Sequence, residues 1–240
     1  MNESWAAGRL ASFDTETDSK FPEDARIITA TVLGLGGGQD RSDRKWLLQA
    51  ERPIDEGATK IHGISTDFAN QHGAERELAI EEITTHLETM FIAGIPVVVF
   101  NAAYDWTVLD RECRRVGIPT LSDRLGRAPS PVIDPHVIDK QVSRRTGSRT
   151  LGATCQFYEI DLGNAHDATA DALGAARVAY KLAVRYPQIG NADLADLHAW
   201  QVKWRAEQQA GLEENHRQNG KLSSDYDGSW PLRPVQAVTS

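Results

Sequence analysis

The chain has 240 residues, 40% of them hydrophobic and 25% charged, with a formal net charge of −8. That length suits one large domain, or one domain with an appendage, of ordinary globular composition. The acidic balance argues against coating nucleic acid by bulk electrostatics, and no run of eighteen apolar residues is present to span a membrane.

The first residues, "MNESWAAGRLASF", do not pair a basic start with an apolar stretch, so no secretory signal is expected. "LASFDTET" and "RIITATVLGLG" read as strands, the first aromatic and threonine-rich, the second mostly apolar. "GGGQDRSDR" reads as a polar hairpin turn, and no helix follows "LGLGGG" as a dinucleotide fingerprint would require. "KWLLQA" returns as a third strand, so an antiparallel meander is expected. "AERELAIEEITTHLETMF" has helical spacing, with Leu78, Ile83, Leu87 and Met90 on or near one face. "GIPVVVFN" is a short apolar run, the mark of a buried central strand. "AAYDWTVLDRECRRVG" predicts a helix closed by Gly117, and "PVID" another short strand. "RTLGATCQFYEI" and the alanine-rich "ATADALGAARVAYKLAVRY" predict two more helices. "ADLADLHAWQVKWRAEQQAGLEEN" is a long amphipathic helix, followed by a polar tail that holds "SWPLRP". Strands first, then strands alternating with helices, imply an α/β fold with a mixed sheet covered by helices. Residues 8–188 are expected to form the main domain and 189–240 a C-terminal helix and tail.

Cys113 and Cys155 lack the clustered histidines of a zinc site, and fit reduced thiols in a cytoplasmic protein. Charge is uneven: between 111 and 150, nine basic side chains stand against four acidic ones. That segment is either a solvated basic surface or a local attractor of phosphate.

In "SFDTETDS", side-chain alternation along a strand would put Asp14, Glu16 and Asp18 on one face, with Phe13 and Thr15 on the other. Crowded carboxylates repel unless a cation neutralises them. Asp105 follows "VVVFN" at a strand-to-helix junction, where ligand sites form in α/β sheets. Asp171 lies in the first turn of the alanine-rich helix, where the helix dipole alone would favour it, and His166 lies five residues earlier. Asp134 reads equally as a site acid or as a helix cap before Pro135. Four such carboxylates could hold two Mg2+ or Mn2+ ions about 4 Å apart, the geometry of phosphoryl transfer, with a histidine to take a proton from water.

"FDTET", "HGI" at His62 to Ile64, "NAAYD" at Asn101 to Asp105 and "HDATAD" at His166 to Asp171 occur in this order. Together they resemble the DEDDh branch of the DnaQ-like 3′→5′ exonucleases, over roughly residues 8–185. "PVIDPHVIDK", "RTLGATCQFY", "LHAWQVKWRAEQ" and "DGSWPLRP" further resemble stand-alone exonucleases of actinobacteria and their phages. The resemblance implies an RNase H-like fold and a two-metal exonuclease. It implies that Asp14 bridges both metals, that Glu16 and Asp171 join it on the ion holding the attacking water, and that Asp105 helps hold the second ion. It implies His166 as general base; the sister branch has a tyrosine where this chain has Asp167. It also implies that Thr15, Thr17, His62 and Ile64 hold the terminal nucleotide, with Asn101 and Tyr104 nearby.

Asp18 departs from the common pattern, and either weakens phosphate approach or points to solvent. The basic "DRLGRAPSP" either guides single-stranded nucleic acid or is a surface loop. The expected activity is release of nucleoside 5′-monophosphates from 3′ ends, preferably of single-stranded DNA. RNA is the alternative substrate, a polymerase is an alternative partner docking through the tail at Trp230, and a metal-stabilised binding module is the alternative without catalysis. Trp230 and Leu232 packing back onto the domain is the competing expectation for that tail.

Overall fold

A computed structural model of the chain describes residues 4–163, 167–221 and 226–235. The apolar, β-branched segments at the start form strands β1 (Arg9–Thr17), β2 (Ile27–Gly36) and β3 (Ser42–Leu47), paired antiparallel as a meander. The β2–β3 turn uses Gly36, Gly37 and Gly38, all at positive φ. A Cβ on Gly37 would lie 2.9 Å from the Arg9 amide nitrogen, so only glycine fits there. Two short helices follow, α1 (Glu56–His62) and α2 (Thr66–His72), capped by the side chains of Asp55 and Ser65. Neither has enough apolar repeat to be read from sequence.

Helix α3 (Arg76–Ile92) leads into β4 (Val97–Val98), and α4 (Ala103–Val116) ends at Gly117 in the left-handed conformation. Short α5 (Leu121–Leu125) precedes β5 (Val132–Ile133) and α6 (Pro135–Val142). Next come α7 (Leu151–Phe157), α8 (Ala168–Arg185), α9 (Pro187–Gly190) and α10 (Leu194–Gln218). β4 and β5 join β1 in parallel, giving a five-stranded mixed sheet in the order β3-β2-β1-β4-β5.

Alternation along the strands builds two cores. Phe13, Val97 and Val99 meet α3 and α4 through Leu87, Phe91 and Trp106. Val98 and Ile133 face the other way, onto α6 and α8 through Ile138, Ala175, Val178 and Leu182. β4 is thus buried on both faces, as its continuous apolar run requires. Small residues on α8 bring it close to its neighbours: a Cβ on Gly174 would meet Leu162 Cδ1 at 2.4 Å.

α10 closes the β5 edge. Val132 N–H donates to His198 Nδ1 (3.2 Å), Gln201 Nε2 donates to Val132 O (3.0 Å), and Asp134 N–H donates to Gln201 Oε1 (2.6 Å). A helix thereby supplies partners that a sixth strand would otherwise offer. Burial pushes the His198 pKa down to about 4, which keeps the ring neutral and able to accept.

Three expectations need correction. On α3 the buried face is Ile80, Ile83, Thr84, Leu87 and Phe91, while Leu78 is exposed. The third strand begins at Ser42, earlier than its apolar residues suggest. The basic stretch 111–150 is largely consumed in ion pairs. Arg111 and Arg114 meet Asp110, Arg111 also meets Glu23, Arg115 meets Glu112, Arg124 meets Glu81 and Glu88, and Arg145 and Arg149 meet Asp139. "DRLGRAPSP" is tied to α3 by Arg124 and then runs as an exposed surface loop through Gly126, Arg127 and Ala128, with Arg127 donating to Ser130 O.

Glu112 is fully buried between Arg76 and Arg115, and Arg76 also donates to Ile27 O and Gln49 O. Glu112→Ala strands buried guanidinium charge, and is expected to cost about 3–5 kcal/mol in urea unfolding. An unchanged unfolding midpoint would show that the charge finds water or another partner.

Candidate active site

The carboxylates meet where the parallel strands β1 and β4 end and the helices α4 and α8 begin. β1 presents Asp14 and Glu16 on one face, opposite Thr31 and Thr29 of β2. Asp171 is in the first turn of α8, whose N-terminus is capped by the Asp167 side chain accepting from Thr169 and Ala170 N–H. Ser12 anchors α8 to the sheet, its hydroxyl donating to Ala172 O at 2.7 Å. As a result, one oxygen from each of Asp14, Glu16 and Asp171 lies within 4.8 Å of the others.

Asp105 enters from the α4 side. It is 4% exposed, and its Oδ1 accepts from the Thr15 hydroxyl (2.7 Å) and the Thr15 amide (3.1 Å). Thr15 therefore serves first to orient Asp105. The turn before α4 is held by Asp134, whose carboxylate accepts from Asn101 N–H and Ala102 N–H, both at 2.9 Å. Asn101 sits at φ +64°, a left-handed conformation that asparagine tolerates better than most residues. Asp134 also caps α6, so the cap reading is right and its oxygens are engaged with backbone.

Asp18 does not join the carboxylates. The β1–β2 register slips between Glu16 and Thr17, and Asp18 is buried against the Arg52 guanidinium at 2.6 Å, while accepting from Arg26 N–H at 2.8 Å. It neither faces phosphate nor points to solvent. His166 lies outside the described residues.

Burial and repulsion dominate the electrostatics. Burial raises Asp14 well above the carboxylate range, and Asp105, Asp171, Glu16 and Asp167 add to the effect. Glu16 is pushed up to about 8, by burial first and then by Asp171, Asp105 and Asp167. Burial lifts Asp105 to about 7 against the hydrogen bond from Thr15. Oxygen donors held this close in a half-buried, mutually repelling set fit a hard divalent cation.

These shifts set a pH dependence. Unfolded carboxyls ionise near pH 4, whereas Glu16 and Asp105 stay protonated in the fold until about pH 8 and 7. The fold therefore binds more protons, and metal-free stability falls as pH rises from about 4 to 8. The melting temperature without metal is expected to drop across that window, and Mn2+ to raise it more at pH 8 than at pH 5. A flat profile would contradict the burial of these groups.

Two cavities flank the cluster and share Glu16, Ile61 and His62. One, of about 630 Å³, is lined by Thr15, Thr17, Tyr104, Lys20 and Phe21. The other, of about 600 Å³, is lined by Ile64, Lys45, Lys60, Phe68, Asp167 and Thr169. The Tyr104 hydroxyl donates to Ser19 O and meets the Thr17 hydroxyl, and burial pushes its pKa up. His62 Nδ1 accepts from Ile64 N–H at 3.1 Å, closing the "HGI" turn after α1. Asn101 lines neither cavity. Lys20, Phe21, Lys45, Lys60, Ile61 and Phe68 escaped the sequence reading. Of these, only Ile61 had a local signal, as an apolar residue beside "HGI"; Phe21, Ile61 and Phe68 are 62%, 55% and 49% exposed around the cavities.

The family model described as RNase T exonuclease matches residues 12–179. No curated protein sequence matches the chain. Among solved structures, E. coli exonuclease I bound to a dT13 oligonucleotide superposes with a TM-score of 0.64 at 16% identity, covering 76% of this chain and 42% of that one. The same enzyme with dA16 gives 0.64 at 17% identity, with the same coverage of each chain. A product-bound exonuclease I gives 0.64 at 15% identity, covering 76% of this chain and 45% of that one. The chain thus spans less than half the length of these structures. The mixed sheet and its flanking helices are the RNase H-like exonuclease fold.

Proposed function

The chain belongs to the RNase T exonuclease family, and from that premise we propose that it is a DEDDh-type exonuclease that removes nucleoside 5′-monophosphates from 3′ ends, preferably of single-stranded DNA. The observation that carries this reading is the carboxylate cluster of Asp14, Glu16 and Asp171 with Asp105 beside it, at the meeting of two cavities. Asp14, Glu16, Asp171 and Asp105 would hold the divalent cations, with Asp14 shared between them. Mg2+ or Mn2+ bound there would acidify the attacking water and neutralise charge growing on the phosphate. His166 would take the water's proton, the general-base role that histidine fills most often.

The cavity walls supply binding. Thr17 and Tyr104 line the first cavity, and the exposed Phe21 and Ile61 offer apolar surface for base faces, a sequence-tolerant way to hold a single strand. Lys20, Lys45 and Lys60 bring positive charge to the rims of an otherwise acidic site, where phosphates arrive. A polymerase docking through Trp230 loses its basis, because Trp230 is buried in the main core.

Digestion of 5′-labelled single-stranded DNA and matched RNA, with Mg2+, Mn2+ or chelator, tests the reading. A metal-dependent ladder shortening from the 3′ end is expected, faster on DNA. Faster loss of RNA would reassign the substrate, and no cleavage by folded, metal-binding protein would leave a binding module.

A further inference from the structure

After α10 the described tail packs beneath the turn that leads to Asp105. Trp230 is 6% exposed, stacks on His198 at 4.8 Å between ring centres, and donates its indole N–H to Asp134 Oδ2 at 3.2 Å. That same oxygen accepts from Ala102 N–H, while Oδ1 accepts from Asn101 N–H. Three residues on stands Asp105. The tail grips α4 again two turns along: Arg233 N–H donates to the Thr107 hydroxyl (2.9 Å), and Arg111 donates to Pro234 O (2.9 Å) while pairing with Glu23 (2.7 Å). Glu23 belongs to the loop that also carries Phe21 at the cavity rim.

We infer that residues 226–235 form a strap that positions the active site: Trp230 orients the Asp134 carboxylate, which holds the Asn101–Ala102 turn and so aims Asp105 at Asp14. The buried carboxylate accepts from four backbone donors, Asn101 and Ala102 before α4 and His136 and Val137 in α6, and from the indole, which shares Oδ2 with Ala102 N–H. Without the indole, the oxygen shared with Ala102 N–H loses its second donor, and the left-handed turn at Asn101 loses part of what holds it. Trp230 is a positioning residue, since it touches neither substrate nor metal. The inference rests on the assignment of Asp105 as a metal ligand.

The test is Trp230→Phe in the full chain, which keeps an aromatic ring in the core and removes the donor. Calorimetric titration with Mn2+ is expected to show the weaker site losing about tenfold in affinity, the lower end for groups that orient metal ligands. Turnover at fixed, subsaturating Mg2+ is expected to fall in parallel and to recover at high Mg2+, with KM for the oligonucleotide unchanged. Trp200→Phe, on the exposed side of α10, is the control and leaves both readouts at wild-type values. Asp134→Asn removes one acceptor oxygen from the same link. It is expected to reproduce the Mn2+ defect, and the double variant to add nothing to it, because both changes break one connection. This pair also decides the matter if Trp230→Phe does not fold, since Asp134→Asn with wild-type Mn2+ affinity overturns the strap. A Trp230→Phe protein that melts earlier yet binds Mn2+ as the wild type does overturns it equally. Failure of the wild type to cleave any substrate would sink the exonuclease reading instead, and the Mn2+ titration would still read the strap.

Discussion

Asp14→Asn abolishes hydrolysis and, at pH 8 without metal, raises the melting temperature of the protein. Both halves of this expected result have one cause. Asp14 sits on β1 beside Glu16, and within reach of the fields of Asp105 and Asp171, so its ionised form is strongly disfavoured until a cation arrives. An unfolded aspartate ionises near pH 4, and the folded one resists well above that, so each step up in pH favours the unfolded chain. The amide removes that penalty and also removes a central oxygen donor. Metal catalysis of this kind is worth several kcal/mol, so a loss of at least ~10³-fold in turnover is expected. Thermal melts with and without Mn2+, beside the labelled-DNA assay, check both halves. Mn2+ should stabilise the wild type and leave the variant nearly unmoved. A variant turning over within tenfold of the wild type would remove Asp14 from the metal site.

His166→Ala is expected to cut turnover by ~10²–10⁴-fold while Mn2+ affinity stays within about twofold of wild type. The proposed metal carboxylates lie on β1, α4 and α8, where Asp105 is held by Thr15 and α8 is anchored by Ser12. Added imidazole should restore part of the lost rate. Turnover near wild type would place the base elsewhere.

Much of the site was legible because its chemistry is written in short segments. "FDTET" specifies two carboxylates two residues apart, and a strand puts them on one face wherever it lies. Helices begin at Ala103 within "NAAYD" and at Ala168 within "HDATAD", so Asp105 and Asp171 are presented at helix starts. Asp18 shows where such reading stops. By alternation it belongs with Asp14 and Glu16, yet a register slip after Glu16 and a guanidinium from residue 52 take it into a buried ion pair. Both the slip and the partner depend on residues far along the chain.

Arginines 111–149 teach the same lesson in charge. A count along the sequence shows a basic excess, but Arg111 and Arg124 reach Glu23, Glu81 and Glu88 from earlier in the chain, while Arg114, Arg115, Arg145 and Arg149 pair with Asp110, Glu112 and Asp139 close by. The positive charge left around the cavities comes instead from Lys20, Lys45 and Lys60, single residues in three separate segments with no shared pattern.

By itself, then, the sequence determined the order of the strands and the long helices, the mixed sheet, and the short motifs that carry Asp14, Glu16, Asp105 and Asp171, because each follows from local periodicity or a contiguous motif. Only the tertiary structure decided which charges neutralise one another, that α10 closes the β5 edge through His198 and Gln201, and that Trp230 ends against Asp134. Those outcomes are contacts between residues far apart in the chain, between about 30 and 100 positions in most cases. Their energy comes from burying and pairing polar groups that no local pattern brings together.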